Sequence, residues 1–379
     1  MAFSFGDIFK SLSGSGAGDS VLGIDIGASS IKIVQLRASR GAAILETYGE
    51  IALGPYGKQP IGKSVKLAPE VVAAAIKDLM KEANVTARSG GISIPFASSL
   101  VTILELPKVD QSALKQVVPI EARKYIPVPI SEVSLDWFVI PEGEAQDSAF
   151  DQLKPKPQKP PGQEILLVAI QNATISNFQT IMTEAGVHVE SFEIEIFSAI
   201  RSSLSHGIAP TLIVDIGAAT AKMYIVERGI VRLTHLVTQG GSQMTDILAR
   251  SMNWDFEKAE RVKRERGLLP QKAYSGEENE RITQALLSTL TRLFSEVNKV
   301  LLSFGQRYNK NVSRVVLTGG GASLPGISAE AKRSLSAEVE IADPFSRTEA
   351  PAFLGEVLRE IGPGFAVSTG LALRKLRGQ

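Results

Sequence analysis

An eight-residue block occurs twice in this chain, 190 residues apart: Asp25-Ile26-Gly27-Ala28-Ser29-Ser30-Ile31-Lys32 and Asp215-Ile216-Gly217-Ala218-Ala219-Thr220-Ala221-Lys222. Five of the eight positions are identical, and Ser30/Thr220 exchanges one hydroxyl for another. Each block follows an apolar run, Leu22–Ile24 or Leu212–Val214. Each leads into alternating apolar residues, Ile31 and Ile33 in the first and Met223 and Ile225 in the second. Period-two alternation marks a strand. Both blocks therefore read as strand–turn–strand, not as the strand–turn–helix of a Rossmann or Walker loop.

The residue types point to a chemistry. A turn glycine lets backbone N–H groups approach an anion with no side chain in the way. The hydroxyls of Ser29, Ser30 and Thr220 add donors for phosphate oxygens. Asp25 and Asp215, beside those donors, would repel a phosphate unless a cation intervened. The natural cation is Mg²⁺, held mainly through water. Two such hairpins face to face would clamp a triphosphate between two half-molecules, whereas a single copy would be explained by an ordinary Asx-Gly turn. A third piece, Thr318-Gly319-Gly320-Gly321-Ala322-Ser323, follows the apolar Val315–Leu317 and offers bare backbone against which a base or ribose can lie.

Composition narrows the function classes. The 379 residues, 44% hydrophobic, supply core for two or three units of about 150 residues. With 41 Lys+Arg against 40 Asp+Glu, the net charge of +1 gives no basic field for nucleic acid. Cysteine is absent, and the three histidines, His188, His206 and His235, are far apart, so thiol, cysteine–zinc and Ser-His-Asp chemistry lack their parts. The longest apolar runs, Val71–Ile76 and Ile165–Ile170, fall far short of the ~20 residues of a membrane span. Met1–Lys10 lacks a basic leader and a long apolar stretch, so no cleavable signal is expected.

Along the chain, Phe5, Ile8, Phe9 and Leu12 form one face of a short helix before a Gly/Ser hinge, making residues 1–20 a separate tail. Strands are expected at Val21–Asp25, Ile31–Leu36, Ala43–Tyr48, Ile92–Pro95, Leu100–Leu106, Val133–Ile140, Ile165–Ile170, Thr211–Asp215, Lys222–Glu227 and Ile230–Val237, with a short buried one at Val315–Leu317. Helices are expected at Pro69–Ala83, from Asp110 to about Tyr125, at Ile175–Ala185, Ile194–Leu204, Met244–Met252, Ala259–Arg266 and Glu277–Tyr308, and at about Phe365–Leu376. Pro141–Gln163, with five prolines and three lysines, reads as an exposed loop. Strand–helix alternation in both halves gives α/β architecture.

The two Asp-Ile-Gly hairpins and the Gly-Gly-Gly turn resemble the phosphate and adenosine motifs of the actin-like ATPase superfamily. Within it, Glu121-Ala122-Arg123-Lys124-Tyr125-Ile126-Pro127 with Glu132 and Val133, Gly240-Gly241 with Thr245, and Gly370-Leu371-Ala372-Leu373-Arg374 resemble the PilM family of type IV pilus assembly proteins. The resemblance implies an actin-like two-lobed ATPase fold with an FtsA-type inserted subdomain. Lobe one would be residues 21–208 plus 363–379, with the insert at about 91–169. Lobe two would be 209–362, with a small insert at about 253–285. It further implies phosphate binding by Gly27, Ala28, Ser29, Ser30 and Lys32 in one hairpin and by Gly217, Ala218, Thr220 and Lys222 in the other. Mg²⁺ would be held by Asp25 and Asp215 through water, ribose would touch Glu260 and Lys263, and adenosine would lie against Gly319, Gly320 and Gly321.

For some of these residues a plainer reading stands beside the ligand role. The Glu257–Arg266 run suits a solvated helix, and Lys32 and Lys222 can point to solvent from alternating strand positions. Glu193 and Glu195 lie where related proteins carry a catalytic acid, Glu195 being the candidate, but either can serve as a helix cap. Turnover is accordingly expected to be slow or partner-dependent at most. The resemblance names the partner as the cytoplasmic N-terminal peptide of the membrane protein PilN, together with other inner-membrane and assembly-ATPase components of the pilus machinery. It places the chain, peripherally, at the cytoplasmic face of the inner membrane, with ATP holding one lobe orientation. Two other readings remain: an FtsA- or MreB-like polymerising protein, and a small-molecule kinase of the same superfamily.

Overall fold

The computed structural model describes residues 20–141, 162–205 and 207–376. The expected amphipathic start and nearly all of the 141–163 loop lie outside the described residues.

The duplication seen in eight residues extends over two five-stranded sheets. The first is built from β1 (Ser20–Ile26), β2 (Ser30–Ser39), β3 (Ala42–Ala52), β4 (Ser89–Ile94) and β8 (His188–Ile194), in the order β3-β2-β1-β4-β8. The second contains β9 (Thr211–Ile216), β10 (Ala221–Glu227), β11 (Ile230–Val237), β12 (Arg314–Thr318) and β13 (Glu338–Ile341), in the order β11-β10-β9-β12-β13. In each, the hairpin strands are antiparallel and the two later strands parallel. Even the irregularities correspond. The register slips between Gln35 and Leu36 in one sheet and between Ile225 and Val226 in the other, three residues after the hairpin lysine in both.

Helices cover the sheets as their apolar spacing requires. α1 (Pro69–Glu82) buries Val72, Ile76 and Leu79, and α3 (Asn172–Ala185) buries Phe178, Ile181 and Met182, all in one cluster with Ile24, Ile33 and Ile92. Lobe two carries α5 (Gly241–Met252), α6 (Phe256–Glu265), α7 (Gly276–Tyr308) and α8 (Ile327–Ser334). The long α7 starts in a capping box, with Ser275 and Glu278 satisfying each other's backbone N–H, and buries Ile282, Leu286, Leu290, Leu293 and Val297 against the second sheet. The residues expected as a small insert, about 253–285, contain α6 and the first turns of α7. Ala259, Val262 and Ile282 join that same core.

Two helices cross beside the first sheet: α4 (Glu195–Ser203), which also touches β12 of the second, and α10 (Ala366–Leu376), which packs on β1, β2 and β4. Their approach depends on missing side chains. A Cβ on Gly23 of β1 would stand 1.9 Å from the Ser368 carbonyl oxygen, and one on Gly370 would stand 1.9 Å from that of Ser198. Gly370 thus permits the crossing of α10 on α4, a packing task for the C-terminal Gly-Leu-Ala-Leu-Arg run. Arg374 at its end reaches Glu193.

The inserted subdomain is a separate three-stranded sheet, β5 (Ser99–Pro107), β6 (Val133–Val139) and β7 (Gly162–Gln171), ordered β5-β7-β6 and covered by α2 (Gln111–Ala122). It begins later than the expected boundary near 91, which would cut β4; that strand pairs with β1 and β8 in the first sheet. α2, capped by Asp110 accepting from Ala113 N–H, stops at Ala122 rather than Tyr125. The chain there tightens through Lys124 N–H to Glu121 O and Tyr125 N–H to Ala122 O. Ala122 and Ile126 of the Glu121–Pro127 run enter the subdomain core, while Arg123, Lys124 and Tyr125 face outward.

Two further differences concern strands and lobe limits. The sequence reading missed β8 and β13. Residues 344–361, expected in lobe two, pack on lobe one: Phe345 and Leu358 of α9 (Gly355–Ile361) share a cluster with Val21, Val34, Leu36 and Leu45. Glu349 also pairs with the edge of β3 at Ala43 and Leu45.

Candidate functional site

The two hairpin turns are built alike. Gly27 N–H donates to Ser30 O at 3.0 Å, and Gly217 N–H donates to Thr220 O at 2.9 Å. Their outer carbonyls are occupied by the body of each lobe. Ala28 O and Ser29 O accept from Val65 and Leu53 N–H, and Gly217 O and Ala218 O accept from Gly241 and Ser242 N–H at the start of α5. A Cβ on Gly240 would collide with both of these last carbonyls at 2.5 Å, which accounts for the Gly240-Gly241 pair. The N–H groups of Ala28, Ser29, Ala218 and Ala219 have no acceptor among the described residues. Unpaired turn N–H groups of this kind are the donors that an anion requires.

Register sets the charges. Asp25 lies opposite Lys32, and Asp215 lies opposite Lys222. Lys32 Nζ donates to Ser30 Oγ at 2.9 Å and pairs with Glu50 at 3.1 Å, so its largely covered ammonium is held within its own hairpin sheet rather than by Asp25. Lys222 is buried and held by two carboxylates, 2.6 Å from Glu195 Oε2 and 2.9 Å from Asp215 Oδ2. Burial opposes its charge, but Asp215 and Glu195 more than offset it and hold the ammonium well above its ordinary range. Glu195, the first residue of α4, also accepts the Phe96 N–H on Oε1 at 2.7 Å. Loss of hydration raises its carboxyl pKa, Asp215 and Asp25 add to the rise, and Lys222 opposes it in part. Asp25 accepts from Ser93 Oγ at 2.8 Å and is likewise raised, chiefly by burial with Asp215 contributing.

Glu193 is occupied elsewhere. Arg201 holds both its oxygens at 2.7 Å, Ser198 donates to it, and Arg374 stands 3.5 Å away. This buried clamp joins β8, α4 and α10 and leaves Glu195 as the acid facing the hairpins.

The glycine run lies on the end of β9. Gly319, with φ of +80°, could carry no Cβ, since one would stand 2.3 Å from Asp215 Oδ1; one on Gly321 would meet Ile216 at the same distance. Only Gly320 of the three faces open space. Glu260 and Lys263 sit together at the cleft margin. Lys263 Nζ donates to Glu260, to Thr245 Oγ1 at 2.8 Å and to the Gly241 carbonyl at 3.0 Å, which braces α6 against the start of α5. Burial pulls the Lys263 pKa down, with Glu260 partly compensating. Glu260 also lies beneath Gly62, where a Cβ would meet its carboxyl carbon at 2.4 Å.

The structure thus brings Asp25, Asp215, Lys222 and Glu195 together between the lobes, with Lys32, Ser30 and Gly320 on one margin and Glu260 and Lys263 on another. The sequence reading did not find Ser93, the Phe96 N–H or Tyr224. Tyr224 lies two residues along β10 from Lys222 and is fully buried, with a hydroxyl that has no hydrogen-bond partner among the described residues. Burial chiefly, and then Asp215 and Glu195, push its pKa well up. Its only sequence signal was its alternation with Lys222. No group of three or more His, Asp or Glu side chains among the described residues is arranged to hold a metal ion. Of the two aspartates, Asp215 already gives Oδ2 to Lys222, while Asp25 Oδ2 has no hydrogen-bond partner among the described residues, so Asp25 suits the water shell of a cation better.

Comparison with known proteins agrees with this architecture. The family profile described as type IV pilus assembly protein PilM matches residues 23–376. A solved structure of the PilM-PilN type IV pilus biogenesis complex is 25% identical and superposes with a TM-score of 0.75 over 94% of this chain and 98% of that one. MreB5 of Spiroplasma citri bound to ADP, 13% identical, shares the fold with a TM-score of 0.52 over 94% and 95% of the two chains. The cell division protein FtsA of Agrobacterium fabrum is 23% identical over 235 residues, covering 56% of this chain and 51% of that protein. The chain spans about half the length of the curated relatives it matches. The fold is the actin-like two-lobed one with an FtsA-type inserted subdomain.

Proposed function

The chain belongs to the type IV pilus assembly protein PilM family, and from that premise we propose that it is an ATP-binding scaffold of the pilus assembly machinery. The observation that carries this reading is the matched pair of hairpins, each with turn N–H groups that have no acceptor among the described residues and each with an aspartate beside its turn. ATP would lie between them. Its phosphates would meet the turn N–H groups of Ala28, Ser29, Ala218 and Ala219 and the Lys32 ammonium, and its adenosine would rest on the open face at Gly320, near Glu260 and Lys263. Mg²⁺ would travel with the phosphates and reach Asp25 through its water shell, supplying charge neutralisation.

Nucleotide in the cleft would hold one orientation of the lobes, and that orientation would present a groove to the N-terminal peptide of PilN. The relative solved as a PilM-PilN complex supports this partner. The protein would then work at the cytoplasmic face of the inner membrane; no helix among the described residues is long and apolar enough to cross one. The test is the nucleotide content of gently purified protein, followed by capture of a PilN N-terminal peptide with and without Mg-ATP. Retained ATP and ATP-dependent capture are expected, and absence of adenine nucleotide binding would overturn the reading. ATP-dependent sedimentation without peptide capture would favour a polymerising protein instead.

A further inference from the structure

We propose that Lys222 is a built-in restraint on hydrolysis: by engaging Glu195 it withholds that carboxylate from the proton transfer that turnover would need. The inference rests on the nucleotide reading and specifies how the same site is regulated.

Hydrolysis forms a bond from water oxygen to the γ-phosphorus and breaks the bond from that phosphorus to the β–γ bridging oxygen, whose electron pair leaves with ADP. The water's proton must pass to a base. Among the acids of the cleft, Glu193 is tied on both oxygens to Arg201, and Asp215 gives Oδ2 to Lys222 while its Oδ1 lies under Gly319. Asp25 lies on the first hairpin's own strand, one residue before its end, with Ser93 on Oδ1. Glu195 approaches from outside both hairpins, as the first residue of α4. Yet both its oxygens are engaged, Oε1 by the Phe96 N–H and Oε2 by the Lys222 ammonium. Accepting a proton would break a buried ion pair whose ammonium also neutralises Asp215. Tyr224 lies on the same face of β10, buried, with a hydroxyl that has no hydrogen-bond partner among the described residues. Glu195 is therefore the acid that reaches the cleft from outside the two hairpins, and Lys222 holds it.

Lys222 is in this account a positioning residue, and its test reads more than rate. The full-length protein and its Lys222→Met and Lys222→Gln variants are compared for melting temperature, ATP affinity by calorimetry, and phosphate release from Mg-ATP. The expected result is ATP affinity within about threefold of the parent and a rise in kcat of roughly a hundredfold. KM should be little changed, and the rise should be lost again in Lys222→Met/Glu195→Gln. Bound ATP with unchanged phosphate release would overturn the restraint while leaving the scaffold reading in place. So would a rise that survives Glu195→Gln, or failure of both single variants to fold, which would make the ion pair a structural requirement. Loss of ATP binding in both variants would make Lys222 a phosphate ligand and likewise overturn it. No ATP binding by the parent protein would remove the scaffold reading itself.

Discussion

Lys63 and Asp246, 183 residues apart, meet across the mouth of the cleft, with Nζ 2.7 and 2.9 Å from the two carboxylate oxygens. Lys63 belongs to the strap between β3 and α1, and Asp246 to α5. Ser64 N–H reaches Ser242 Oγ beside them at 3.3 Å, and the Phe256 ring lies under the ammonium. Both side chains are about a third exposed, so the pair is worth under about 1 kcal/mol and weakens with salt. Asp246→Ala should therefore barely move the melting temperature. If the strap closes over a nucleotide, the same change should speed release of a fluorescent ATP analogue up to about fivefold, a difference of the same ~1 kcal/mol. Stopped-flow release at low and high salt checks this, and the two proteins should converge at high salt.

The glycines separate packing from binding. Gly23→Ala and Gly370→Ala each drive a methyl into a backbone carbonyl at 1.9 Å, and overpacking of that kind costs typically 1–3 kcal/mol or more. Urea unfolding should show both losses. Gly320→Ala meets nothing within 4 Å, so its stability should stay within about 0.5 kcal/mol of the parent. If adenosine rests there, Gly320→Ala alone of the three should weaken ATP binding with no loss of stability.

The parts legible in the sequence are those that repeat or alternate. The Asp-Ile-Gly duplication carried the hairpins, and with them the correspondence of the two sheets, because a hairpin turn is a local structure written in adjacent residues. The apolar spacing through Ile282, Leu290 and Val297 carried α7 for the same reason. β8 and β13 were missed because each is a parallel strand whose pairing comes entirely from β4 and β12, far away in sequence. At the site, Asp25 and Asp215 announced themselves, but the partners of Lys222 did not. Strand alternation says which face a side chain takes, and only the packing of α4 against both sheets brings Glu195 to that face. Gly319 and Gly321, read as a surface for a base, turn out to be required by Asp215 and Ile216.

The buried clamp on Glu193 should govern acid stability. Burial works to raise this carboxyl pKa, but Arg201, with Arg374 and Ser198, overrides it and leaves it below 4.5. A depressed folded value contributes stability that is fully present above the unfolded value and is lost as pH falls through the folded one. Wild-type stability should thus decline as the solution is acidified below about pH 4.5. Glu193→Gln should be less stable at neutral pH by about 3–5 kcal/mol, because Arg201 and Arg374 lose their counter-charge. Its profile should be flatter in acid. Chemical unfolding at a series of pH values measures both, and parallel profiles for the two proteins would refute the assignment.

Asp25 should behave in the opposite sense. Loss of hydration and the neighbouring Asp215 raise its carboxyl pKa, and Lys32, Ser93 and Lys222 compensate only in part. A raised folded value means the native state binds the proton more tightly than the unfolded chain, so this group costs stability at neutral pH and ceases to do so in acid. Asp25→Asn keeps an oxygen for the Ser93 hydroxyl and removes the charge. In nucleotide-free protein it should raise stability at pH 7 by about 0.5–2 kcal/mol, the range common for single stabilising substitutions. The gain should vanish below about pH 4, where the parent carboxyl is itself protonated in both states. A residue kept against stability needs another reason to be there, and the cation that accompanies a triphosphate supplies one. The same variant should therefore lose the thermal shift that Mg-ATP gives the parent, so that the two melting curves cross: the variant melts higher without nucleotide and the parent higher with it. A variant that is less stable in both conditions would show Asp25 to be a structural residue of the β1–β2 hairpin.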